Sequence, residues 1–137
     1  MGIERWKRVK PLKNHNIIPE TEKKYNFVLP DEVKQCIAQN NGGRPIPNIF
    51  SFGNGKDQET DIKCFLSYNQ DDKENVFNVI DYFVNEYHGS IIPVAMDSAG
   101  NYICLKGSEV VLWTQEKEVF KISKDFSSFV SSVYSLD

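Results

Sequence analysis

Residues 91–105 read IIPVAMDSAGNYICL, and the fold is decided by how that stretch is punctuated. An apolar run climbs to Asp97. Ser98, Ala99 and Gly100 follow, all small. A second apolar run, Tyr102–Leu105, comes straight back. Two β-prone runs joined by a short loop containing Gly predict a hairpin. The expected loop is Ser98-Ala99-Gly100, a type I turn closed by a residue in the left-handed region. Only Gly100 lacks the Cβ that makes that region costly. Asp97 can turn its carboxylate onto the backbone N–H groups of the loop. Ile91, Ile92, Val94, Ala95, Ile103, Cys104 and Leu105 leave little room for a wet face. The stretch therefore reads as the central pair of a sheet covered by helices.

Outward from the hairpin, turn and strand signals alternate. Lys106-Gly107-Ser108 turns into a strand, Glu109–Thr114, that carries Val110, Val111, Leu112 and Trp113. Gln115–Glu118 is a polar connection to an edge strand, Val119–Ile122. Ser123 is the expected cap of a C-terminal helix with Phe126, Phe129, Val130 and Val133 inward. Upstream, Val76, Phe77, Val79, Ile80, Phe83, Val84 and Tyr87 form a wide apolar stripe. They predict the longest helix, from about Asp72 to His88 and closed by Gly89. Further back come two strands, Pro47–Phe52 and Ile62–Tyr68, separated by a charged loop, Lys56–Asp61. Pro30 opens a helix carrying Val33, Cys36 and Ile37, and Asn40-Asn41-Gly42-Gly43 ends it through residues that tolerate the left-handed cap. Pro19 opens the first helix, with Glu20 and Glu22 near its positive end. The expected order is α, α, β, β, α, β, β, β, β, α. Consecutive strands favour antiparallel pairing, so the class is α+β.

The 137 residues suit one domain, and 40% hydrophobic with 12% aromatic content supplies a core. No apolar stretch approaches the ~20 residues of a membrane span. The start, MGIERWKRVK, has no apolar core of a signal peptide, and Trp6 stands where a myristoylation motif wants Ser or Thr. Cys36, Cys64 and Cys104 are dispersed and odd in number, a poor disulfide framework and a poor zinc site. Buried reduced thiols and a cytoplasmic location are expected.

The net charge of −3 hides an asymmetry. Residues 1–24 hold seven Lys/Arg against three Glu, a net of +4, and the rest hold nine basic and sixteen acidic groups, a net of −7. Residues 1–18 read as a basic leader, anchored by Trp6, Val9, Leu12, Ile17 and Ile18 and dispensable for folding. Residues 19–137 read as the domain. An acidic body discourages nucleic acid, whose phosphates want Lys and Arg, and suits a basic protein partner.

No catalytic motif emerges. His15 and His88 lie in no metal-binding spacing, and no cofactor is expected. His88 at a helix C-terminus is explained by the helix dipole. Gly53-Asn54-Gly55-Lys56 lacks the first Gly and the closing Ser/Thr of a phosphate loop. Ser98 has no nucleophile elbow. Asp57, Glu59, Asp61, Asp71, Asp72 and Glu74 match no calcium loop. Solvated charge is the plain reading for each, and the helix dipole alone accounts for Asp72 and Glu74. Only their clustering points to contact with a partner. Pro30, Gly42, Gly43, Asp97, Gly100 and Trp113 are expected to be structural.

Three stretches together carry a resemblance. They are Leu29-Pro30-Asp31-Glu32 leading to Asn41-Gly42-Gly43-Arg44-Pro45, Ile92–Asp97 followed by Gly100–Leu105, and Val110–Trp113 leading to Ile122-Ser123, Phe126 and Phe129. In that order they resemble the SUKH superfamily, in its Smi/Knr-like branch, from about Pro19 to Tyr134. Ser98-Ala99 departs from the more glycine-rich loop of many relatives. Thr114-Gln115 departs from the acidic or His residue that often follows the Trp. The resemblance implies a single α+β domain with a curved antiparallel sheet packed with helices, and no catalytic residues. It also implies protein binding. Many bacterial members are immunity proteins that neutralise a cognate toxin, frequently a nuclease, of polymorphic or contact-dependent toxin systems. Fungal members are intracellular scaffolds in cell-wall signalling, which is the alternative role.

Overall fold

In the computed structural model, which describes residues 2–136, the hairpin forms as β6 (Ile91–Met96) and β7 (Tyr102–Lys106). It lies inside a five-stranded antiparallel sheet of order β5-β6-β7-β8-β9, completed by β5 (Cys64–Phe65), β8 (Glu109–Trp113) and β9 (Val119–Ser123). Two register shifts mark bulges, between Pro93 and Ala95 and between Val110 and Val111. Pro93 cannot donate to a ladder, so a bulge is where a central strand tolerates it, and bulges bend the strands that carry them.

The β6–β7 loop closes as its residues dictate. Gly100 has φ +90°. The Asp97 carboxylate accepts the Asn101 N–H at 2.7 Å and the Asn101 side-chain amide at 3.0 Å. Asp97 is fully buried.

Side chains alternate across the sheet and build two cores. Ile103, Leu105, Val110 and Leu112 join Val33, Phe50, Phe65, Ile80 and Phe129 in the larger core. Cys104, Val111 and Trp113 meet Ile91 and Phe83 on the other face, beneath α3 (Ile80–Tyr87). Trp113 packs on Phe83 at 5.1 Å between ring centroids, and its indole N–H donates to the Tyr87 hydroxyl at 2.9 Å. Its structural role is therefore packing on one side and a satisfied polar edge on the other.

The helices are α1 (Ile17–Tyr25), α2 (Asp31–Asn40), α3 and α4 (Phe126–Ser132). Pro30 is the N-cap of α2, and Gly42, at φ +67°, follows its end. Gly43 is held without a side chain because a Cβ there would lie 2.8 Å from the Asn40 carbonyl and 2.9 Å from the Trp6 ring. α1 begins at Ile17, two residues before Pro19.

Several expectations are corrected. The helix expected from Asp72 starts only at Ile80, preceded by a 3-10 turn at Val76–Asn78. Asn75 diverts the chain. Its side chain accepts the Asn78 N–H and donates to the Gln70 and Asp72 carbonyls, local bonds that compete with helix. Asp71, Asp72 and Glu74 therefore stabilise no helix dipole. Asp125, not Ser123, caps α4, accepting the Ser128 N–H at 2.8 Å. The segment Lys56–Asp61 is not all loop. Its end forms β4 (Gln58–Asp61), antiparallel to β3 (Ile49–Phe52) in a separate two-stranded ribbon.

Residues 2–18 are docked on the rest of the chain. β1 (Arg5–Lys7) pairs with β2 (Arg44–Ile46). Trp6 meets Phe65 edge to face at 5.1 Å, and Leu12 and Ile18 are buried. The Lys10 N–H donates to the Asn41 carbonyl at 2.8 Å. The chain thus runs β, α, α, four strands, α, four strands, α.

Candidate functional site

The six carboxylates expected to meet a partner occupy two segments. Asp57 precedes β4, which carries Glu59 and Asp61, one residue apart and so on one face of the ribbon. Asp71, Asp72 and Glu74 lie in the irregular loop between Ser67 and Asn75, whose ends meet through a β-bridge.

Most of these groups have work inside the chain. The Asp61 carboxylate accepts the Ser98 N–H at 2.8 Å and also holds the Ser98 hydroxyl, so it ties β4 to the central hairpin loop. Asp72 accepts the Ser67 hydroxyl at 2.5 Å and the Asn69 amide at 3.2 Å. Those two residues are themselves buried, so Asp72 completes a polar network that joins the loop to Asn41 and to the Lys10 carbonyl. Glu74 pairs with Lys63 at 3.4 Å. Asp61, Asp72 and Glu74 are thus structural in the first instance.

The remaining three face water. Glu59 accepts from the Tyr134 hydroxyl, and this contact raises the Tyr134 pKa by favouring its protonated form. Asp71 pairs with Lys13, with both side chains about two-thirds exposed at 65% and 66%. Lys13 holds the Asp71 carboxyl below its ordinary range through a direct hydrogen bond, and Asp71 raises Lys13 in turn. Such an exposed pair is worth little to stability. Asp57 has no side-chain hydrogen bond or ion pair among the described residues.

The three thiols are free, with Cys64 and Cys104 buried. Burial pushes the Cys36 thiol up to about 11 and raises Cys64 and Cys104 as well. All three are therefore poor nucleophiles near neutrality. Among the described residues, no group of three or more His, Cys, Asp or Glu side chains could hold a metal ion, and no helix is long and apolar enough to cross a membrane.

One cleft was not anticipated. It encloses about 710 Å³ between the Gly53–Gln58 turn and the β9 edge, Val119–Lys124. Its two walls lie more than sixty residues apart, and the single lysines along them gave no local signal.

A model of the SMI1/KNR4 family (SUKH-1) matches residues 14–132. Comparison with curated proteins and with solved structures finds no match. The matched span includes all four helices and every strand except β1. On that span, this chain belongs to the SMI1/KNR4 (SUKH-1) family.

Proposed function

We propose that this chain is a cytoplasmic, non-catalytic immunity protein that binds and neutralises a cognate toxin of a polymorphic or contact-dependent toxin system. The observation that carries this reading is the family match over residues 14–132. The charge distribution supports it. Beyond residue 24 the chain is acidic, and a toxin that acts on nucleic acid presents a basic surface. Asp57, Glu59 and Asp71 are the carboxylates of the six that remain turned to solvent, and they are assigned to the encounter with that surface.

The test begins with the neighbouring reading frame, co-expressed with this chain. Rescue of growth and a stable one-to-one complex are the expected results. The double variant Asp57→Lys, Asp71→Lys should associate more slowly at low salt, with a flatter salt dependence, and keep its thermal midpoint. Growth rescue without a complex, or an unchanged on-rate, moves the reading away from these residues or from neutralisation by binding.

A further inference from the structure

The cleft beside β9 has the form of an unfilled strand position. The five-stranded sheet ends at β9, while β3 pairs with β4 and, at Ile49, bridges to Tyr134. β3 and β9 meet through their side chains, Phe52 on Phe120 at 5.5 Å between centroids, but share no ladder. Above this floor the β9 edge presents N–H and C=O groups that no strand receives. One of them, the Ile122 carbonyl, accepts the Lys56 ammonium from the opposite wall. The far wall is open at its tip, where a Cβ on Gly55 would meet nothing within 4 Å. Five residues of β9 span roughly 17 Å, enough to pair an extended segment of similar length.

We propose that this edge takes an extended, acidic segment of a protein partner as a sixth strand of the sheet. Main-chain pairing supplies affinity in this mode, and alternate side chains supply selectivity. The charges beside the cleft set the preference. Lys56, Lys121 and Lys124 line it against Asp57 alone. Lys121 is shared with Glu109 at 3.1 Å, and Lys124 forms no ion pair among the described residues. Val119, 38% exposed, offers an apolar contact on the outer face. A second copy of this chain is the wrong occupant. Two-fold pairing of β9 with itself about its central residue would set Lys121 against Lys121, and like charges opposed across strands are destabilising. An incoming strand with Asp or Glu at alternate positions meets those ammoniums, displaces Lys56 from the Ile122 carbonyl and leaves it free to pair with a carboxylate. Apart from Asp57, which borders the cleft, this contact is separate from the carboxylates assigned to the toxin, and it does not rest on that assignment.

The experiment selects phage-displayed random dodecapeptides against the whole chain, then examines a synthetic copy of the enriched sequence by amide NMR. Asp or Glu at alternate positions is expected, with shifts confined to residues 53–58 and 119–124. Lys56→Glu with Lys124→Glu should weaken the peptide about tenfold, the scale of one or two lost charge contacts. N-methylation of the peptide needs no protein variant. Methyls at alternate positions in one register should abolish binding, and those in the other should spare it, because a strand donates to its neighbour through every second N–H. Neutral or basic enriched sequences, shifts elsewhere, equal effects of methylation in both registers, or concentration-dependent dimers lost in Val119→Lys would each overturn the proposal.

Discussion

The Thr60 hydroxyl donates to the buried carboxylate of Asp97 at 2.9 Å. The bond fastens the β3–β4 ribbon to the hairpin at the centre of the sheet. The same carboxylate already holds the Asn101 backbone and side chain. Replacing it removes an acceptor from three part-buried donors at once. Asp97→Ala is expected to cost about 2–4 kcal/mol, from hydrogen bonds to a charged group and the part-buried donors left behind. Thr60→Val, which loses one bond, should cost less. Urea unfolding of the two variants checks the order, and equal midpoints would remove Asp97 from the centre of this network.

Deletion of residues 2–12 should abolish cooperative unfolding or lower its midpoint severely. A basic, weakly apolar sequence suggests a dispensable leader. The structure instead puts Trp6 against Phe65 and buries Leu12. Trp6→Ala alone is expected to cost about 2–3 kcal/mol, below the full cost of an enclosed aromatic because Trp6 is only half-buried. Calorimetry of the truncated chain decides. A transition as sharp and as hot as that of the full chain would return the leader to the periphery.

Gly43 and Gly100 are glycines for different reasons, and the difference is measurable. Gly100→Val puts a β-branched residue at φ +90° and should cost at least ~1–2 kcal/mol. Ser98→Ala should cost much less. Gly43→Ala fails through collision with the Asn40 carbonyl and the Trp6 ring, so it should also loosen β1. Near-UV circular dichroism, read with the denaturation midpoints, should therefore change the Trp signal in Gly43→Ala and leave it unchanged in Gly100→Val.

Acid should weaken the end of the chain. Asp125 lies below its ordinary range because its carboxylate accepts hydrogen bonds from Ser128 at the start of α4. A depressed folded pKa contributes stability that is present above the unfolded value of 3.8 and is lost as pH falls through the folded one. The thermal midpoint should therefore drop below pH 4 more steeply in the wild type than in Asp125→Asn, which keeps a cap without the titration. Parallel curves would show that the cap contributes nothing to acid sensitivity.

All three thiols should resist Ellman's reagent at pH 8 in the folded chain and react at once in denaturant. The cause is burial, which keeps Cys36 protonated up to about 11 and raises the other two. Burst reaction of one thiol under native conditions would identify an opening at that cysteine.

Local chemistry makes β6 to β9 legible in the sequence. Unbroken apolar runs and Gly-centred turns act over a few residues, so Asp97, Gly100, Trp113 and the Pro30 boundary stand where the sequence placed them. The α+β class and the family resemblance follow from the same stretches. The start of α3 was illegible because the apolar stripe continues through Val76, while Asn75 turns the backbone with bonds that periodicity does not register. β1, β2 and β4 carry almost no signal of their own. Strands of three or four residues take their stability from the ladder they join, and Arg5–Lys7 finds its ladder at Arg44–Ile46. The candidate site shows the same division. Sequence alone determined that Asp57, Glu59, Asp61, Asp71, Asp72 and Glu74 are many and close along the chain. Which of them remain turned to solvent was decided by tertiary structure, because Ser98, 37 residues away, engages Asp61, whereas Lys13 and Tyr134, 58 and 75 residues away, meet Asp71 and Glu59 at the exposed surface. A charge's availability depends on such distant partners, and no local pattern contains them.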